Sequence, residues 1–481
     1  MRFARPIAAT AVLVAASLTV GAQAATPTRK TVGTKTATAL AVPAVPAVNQ
    51  ANLTAVRTAP THFGFGLQAS TDTKGLGGWM QRSNAAWDYA YRYLGGGVGS
   101  AANWTGWEPG ATYPKSYAIN ASSKGYTPVF SYYQMLYGGA ACTSCGEAQQ
   151  DLTNLNSPAV MKAYFEDFAT LMKRLGTGTY DGVAGFGQDA IVHVEPDLSG
   201  YAETASLFSA SCFGLCSAVG NTPANVKAAV ASSGFALAAG YPNTFQGFNE
   251  TLLRLRDTYA PNVRLGAHVS NWATGYDLNS STSALLNGTT LGTQAGTFAA
   301  LSGTTYTNGT HSTYDLVVND VSNKDAGYYK YVLGKPRFWD QDNTVFPNFH
   351  RWEDYVKAVT TAAGKKAVVW QVPIGNQLYA SVNNTPGHYQ DNRVEYFFNH
   401  VAELKAAGIV GAMFGTTIAD ATNYADWAGD GVTNPAPVCS SDGWSSGKVV
   451  CSSLQTPAAD DDGGYLRVRG QQYYAAPLSL S

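Results

Sequence analysis

The sequence predicts an α/β fold of the (β/α)8, TIM-like barrel type, and three observations predict it. Short strand-like runs alternate with helix-like runs from about residue 62 onward, and there are eight of them. Such alternation imposes parallel pairing, and eight units close into a cylinder. About 420 residues remain once the amino-terminal segments are set aside, which suits one such barrel. A doubly wound sheet needs a phosphate-binding G-x-G-x-x-G turn after its first strand. In His62-Phe63-Gly64-Phe65-Gly66-Leu67-Gln68 the glycines instead lie inside the strand.

In chain order, the first segment reads as a bacterial signal peptide over residues 1–24. Arg2 and Arg5 give a positive start, 7–20 are apolar, and Ala22-Gln23-Ala24 offers a small-x-small cleavage site. Export to the cell exterior or periplasm is therefore expected. Residues 25–60 hold Ala, Val, Thr and Pro with few large side chains and read as a linker. The barrel is expected over 61–431 and a carboxy-terminal extension packed on it over 432–481. About 50 residues make a poor independent core. No later segment has a run of 18 apolar residues, so no membrane anchor is expected.

The strand candidates are 63–69, 93–98, 127–134, 190–195, 264–270, 315–320, 367–372 and 409–415. Between them, Ser157-Pro158 supplies an N-cap with proline at the first helical position. Met161, Phe165, Phe168, Met172 and Leu175 follow at helical spacing, up to Gly176. Phe248, Leu252, Leu255 and Tyr259 form a second stripe, and Trp352, Val356, Val359 and Ala363 a third. Asp391 is placed to cap a helix carrying Val394, Phe397, Val401 and Leu404, and Met80, Trp87 and Tyr91 point to a first helix.

Charged residues make up 13% and the net charge is −1, so no basic footprint for nucleic acid exists. Aromatic residues reach 12%, with 28 Tyr and 10 Trp, a composition that suits ring stacking on sugars. A monomer with a carbohydrate substrate and no cofactor is expected. The six cysteines fall as Cys142/Cys145, Cys212/Cys216 and Cys439/Cys451. In an oxidising compartment these read as local disulfides, although the first two pairs can also bridge to each other.

Catalysis in such a barrel sits at the carboxy-terminal strand ends. The fourth candidate strand ends His193-Val194-Glu195-Pro196-Asp197. Alternation turns Val192 and Val194 outward, His193 and Glu195 inward, and Pro196 ends the strand. Two carboxylates at a barrel mouth suit general acid/base work on a glycosidic bond, with Glu195 as acid/base and Asp320 or Asp197 as second carboxylate. Asp320, beside Asn319, ends the sixth strand, about 10 Å away at the backbone.

Glu195-Pro196-Asp197 after an apolar strand resembles the E-P-D strand end of cellobiohydrolase-type cellulases, glycoside hydrolase family 6. The resemblance implies that Asp197 lies in a sugar-binding cleft. The tyrosine-plus-aspartate loop that supplies that family's general acid is missing here, so its acid is not carried over.

Neutral and aromatic residues at other strand ends are candidate sugar contacts. These are Gln68, Tyr133, Gln134, His268, Asn271, Asn319, Gln371 and Asn376, with Trp104, Trp272 and Trp370. The seventh strand ends in Gln371 where many retaining barrel glycosidases place a nucleophile. The sequence thus predicts a secreted glycoside hydrolase. Two alternatives stand beside it: a non-catalytic carbohydrate-binding barrel, and a metal-dependent hydrolase using His193, Glu195, His268 and Asp320.

Overall fold

The computed structural model describes residues 61–68, 80–81, 83–140, 144–305, 312–322, 324–379, 382–415, 421–422 and 463–481. The expected signal peptide and linker, Cys142, Cys439 and Cys451 lie outside these residues. Eight strands close into a parallel barrel: β1 (Gly64–Gln68), β2 (Tyr89–Leu94), β3 (Thr127–Tyr132), β4 (Ala190–Val194), β5 (Val263–Val269), β6 (Leu316–Asp320), β7 (Ala367–Val372) and β8 (Ile409–Phe414). Each strand pairs with the next in sequence, and β1 pairs with β8 through Gly64 and Gly411 to complete the ring.

Helices jacket the ring: α1 (Tyr113–Ser122), α2 (Glu147–Leu155), α3 (Pro158–Leu175), α4 (Pro196–Leu207), α5 (Phe245–Tyr259), α6 (Gly288–Ala299), α7 (Phe349–Ala363), α8 (Arg393–Asn399) and α9 (Val401–Ala406). The expected signals operate at α3, where Ser157 accepts from the Val160 amide and Pro158 opens the helix. Alternation along each strand divides two apolar layers. Ala90, Val192, Val194, Val317 and Val369 face the helices, while Tyr89, Tyr91, Val129, Ile191, Leu316, Val318, Val368, Trp370 and Met413 fill the barrel. Each large side chain withdrawn in this way stabilises the fold by about 1.5–3 kcal/mol.

Three sequence expectations need correction. The second strand runs over Tyr89–Leu94 rather than 93–98. Tyr89, Tyr91 and Tyr93 form its inward face, and Gly96 and Gly97 (φ 106° and 83°) turn the chain away immediately after it. No helix carries Trp87 and Tyr91: Tyr91 lies in β2, and the Trp87 indole is bonded to Ser83. The helix expected after Asp391 is broken at His400 into α8 and α9. Asp391 is fully buried and takes the Arg393 amide and guanidinium and the Ala326 amide, so it ties two segments together as well as serving a helix start.

Helix α10 (Gly464–Tyr474) lies against the first strand. The Tyr473 and Tyr474 hydroxyls donate to the Phe63 and Phe65 carbonyls, and the Phe63 and Leu480 amides donate to Leu478 and Thr61. Cys212 and Cys216 form a disulfide, and Cys145 is disulfide-bonded. No helix among the described residues is long and apolar enough to cross a membrane.

Candidate active site

The β4–α4 junction decides which carboxyl reaches the mouth. Pro196 takes the first helical position directly after the strand, so Asp197 belongs to the first turn of α4 rather than to a loop. The turn is made at Glu195, whose backbone is left-handed (φ 41°, ψ 73°). A positive φ at a non-glycine residue breaks the in–out alternation on which the inward assignment of Glu195 rested. Its side chain accepts from the Gln134 amide at 2.9 Å and the Met135 amide at 3.4 Å, beside Tyr164 of α3. Only 1% of it is exposed, and burial pushes its carboxyl up to about 8. Glu195 thereby fastens the loop after β3, a contact that alternation along the strand does not give.

Asp197 meets a partner that the sequence did not identify, Glu147 at the start of α2. The two carboxyls lie close enough for each to perturb the other. Burial first, then repulsion from Glu147, Asp320 and Glu195, holds the Asp197 carboxyl well above its ordinary range. Burial likewise raises Glu147, whose other contact is a short hydrogen bond from the Tyr133 hydroxyl. Asp151, one turn along α2, is buried with no hydrogen-bond partner on either oxygen among the described residues. It too is raised, by burial and by Glu147, Glu195 and Asp197. No lysine or arginine is among the groups that shift these acids.

Asp320 stands at the end of β6, partly exposed (16%), as expected. It accepts from the Asn271 amide at 3.3 Å, and burial raises it to about 6. Below the mouth, His193 Nε2 and His268 Nδ1 are 2.9 Å apart, and His268 Nε2 lies 2.9 Å from Ser270 Oγ and 3.7 Å from Asp320. Burial lowers both imidazoles, His268 to about 3, so both are neutral. The Trp370 indole stands edge-on to His193 at 4.8 Å, and Gln371, also at positive φ (54°), reaches inward to the Tyr93 hydroxyl.

The other proposed contacts divide sharply. Trp272 is half-buried and lies 5.0 Å from Tyr201, whose hydroxyl senses the charges of Glu147 and Asp197. Gln68 is half-buried, with Oε1 unpartnered among the described residues. Trp104 is fully buried with its indole on Asp167, and Gln134 is spent on Gly97 and Asn103. Asn271 and Asn319 are fully buried and bond to each other, with Asn319 turned to Trp352 of α7. Asn376 caps the Leu378 and Tyr379 amides. These five hold the scaffold and face no open mouth. Among the described residues, the metal set named from sequence does not converge as a group of ligands. A cavity of about 820 Å³ opens in the β6–α7 loop, lined by Lys330, Lys335, Phe338, Trp339 and Gln377 among others, and none of the clustered acids lines it.

No family model matches this sequence, and no curated protein does. Among solved structures, the chain aligns with a family 26 endo-β-1,4-mannanase from Cellulomonas fimi at 13% identity and TM-score 0.40, over 77% of this chain and 68% of that one. A family 5 glycoside hydrolase from Prevotella bryantii aligns at 9% identity and TM-score 0.39, over 86% and 96%. A cellobiohydrolase from Humicola insolens aligns at 12% identity and TM-score 0.34, over 69% and 77%. The strand pairing, and not these alignments, defines the barrel of this chain.

Proposed function

We propose that this protein is a glycoside hydrolase in which Asp197 is the general acid and Asp320 the second carboxylate. The observation that carries the reading is the approach of the Asp197 and Glu147 carboxyls at a barrel rim, with Asp320 close enough to repel Asp197. A glycosidic oxygen needs a proton as its bond to the anomeric carbon breaks, and the positive charge that develops on the sugar needs a carboxylate. Asp197 supplies the first, its acidity set by burial and by Glu147, and Asp320 supplies the second. Tyr133 holds Glu147, and the Tyr201–Trp272 ring pair offers an apolar platform beside the acids.

Purified protein is to be incubated with a panel of β- and α-linked glycans and the release of reducing ends followed. Asp197→Asn and Asp320→Asn should each lower cleavage about 100- to 10,000-fold with thermal unfolding little changed. No cleavage of any glycan by the unaltered protein, or full activity in both variants, overturns the assignment. The neutral Gln371 at the β7 rim favours one second reading, a barrel that binds carbohydrate without cutting it. Glycan binding with no reducing ends released is its signature.

A further inference from the structure

A second group of chemically active side chains lies on the helical jacket, between α7 and the α8–α9 pair. His350 lies in the first turn of α7 and Glu353 in the second, and Glu403 lies in α9. One ligand atom from each of the three lies within 4.8 Å of the others, and His350 Nε2 is 3.5 Å from Glu403 Oε2. Four ligands arranged tetrahedrally at zinc distances stand roughly 3.4 Å apart, so this pair needs almost no adjustment.

The supporting groups are held in place. His400 Nδ1 is 3.0 Å from Glu403 Oε1. Phe349, Tyr396 and His400 form a ring column, with centroids 3.6 Å and 4.0 Å apart and interplanar angles of 6° and 9°. That column fixes the Tyr396 hydroxyl 3.1 Å from Glu353 Oε1 and 3.1 Å from Glu403 Oε2. A phenol has one proton and can donate to only one of these oxygens. The second carboxylate oxygen is left to another positive partner, and Glu353, only 9% exposed, sees little water. A cation between the carboxylates would bond to both. The imidazole nitrogen selects a borderline ion of the zinc class over calcium or magnesium, which prefer all-oxygen sites.

We propose that His350, Glu353 and Glu403 bind a divalent transition ion of the zinc class, with water completing the shell and with Tyr396 and His400 as positioning residues. The site stands apart from the barrel-mouth acids and does not depend on their role.

The test uses untagged full chain, stripped with chelator and titrated calorimetrically with zinc chloride, with calcium and magnesium chloride as controls. One equivalent of zinc should bind and raise the unfolding temperature, and the two controls should do neither. His350→Ala and Glu403→Gln should each weaken zinc binding at least tenfold. Glycan cleavage in both variants should stay at the level of the unaltered protein, which separates this site from the barrel mouth. Cobalt in place of zinc should give a visible absorption band that His350→Ala abolishes. No zinc uptake by the unaltered protein, or uptake undiminished in both variants, overturns the proposal.

Discussion

The rims of β4 and β7 solve one geometric problem with opposite results. Each carries a non-glycine residue at positive φ at its rim, Glu195 at 41° just after β4 and Gln371 at 54° next to the last residue of β7. Alternation assigns Glu195 to the lumen and Gln371 to the helices, because His193 and Trp370 face inward. Both side chains do the reverse: Glu195 goes back to the β3 loop and Tyr164, and Gln371 goes inward to Tyr93. A left-handed residue exchanges the two faces of a strand end. It follows that a carboxylate in the expected sequence position can be turned to the scaffold, while the acid proposed for catalysis sits two residues later.

The largest expected effect tests this exchange directly. Glu195→Ala should cost about 2–6 kcal/mol, because two buried amides lose their acceptor, whereas Gln371→Ala should change stability by less than about 1 kcal/mol. Denaturant unfolding of both variants checks it. Comparable losses would mean that the two rims do not differ as described.

Next in size is the pH response. Cleavage should rise as Asp320 ionises through about pH 6 and fall at higher pH as Asp197 loses its proton. Glu147→Gln removes the charge that repels ionised Asp197, so the alkaline limb should move to lower pH. Above that limb, activity should drop about tenfold for each unit of movement. An unmoved limb would detach Glu147 from the acid.

Glu203 of α4 gives a control for burial without a partner. It is 3% exposed, its Oε1 has no partner among the described residues, and burial raises it to about 8. Between pH 4.5 and 8 the unfolded chain ionises this group while the folded chain keeps its proton, so stability falls as pH rises through that window. Glu203→Gln should recover about 3 kcal/mol at pH 7 and nearly nothing at pH 4.5. Melting curves at the two pH values decide it. The smallest effect belongs to Gln371→Gly, which should relieve about 1 kcal/mol of backbone strain and weaken substrate binding slightly.

Much of the fold was legible because barrel strands obey a period of two and several helices carry their own caps. Ser157-Pro158 and the Met161–Leu175 spacing are examples. Strand β2 was harder to place, since its tyrosines read as helix or strand until the turn at Gly96 and Gly97 is known. Asp197 and Asp320 were visible as acids at strand ends. Glu147 was not, because a loop and a helix start bring it to Asp197 across 50 residues of sequence. Its only local signal is an acidic residue two places after a disulfide-bonded cysteine, Cys145.

The clasp between the last described residues and β1 has a consequence for how the molecule is completed. Ribosomes deliver the amino-terminal strand first, yet that strand's outer support comes from Tyr473, Tyr474, Leu478 and Leu480. A chain halted before residue 473 leaves the Phe63 and Phe65 carbonyls without these donors. This outer support of the first strand is therefore completed only after the ring-closing strand β8 has been made.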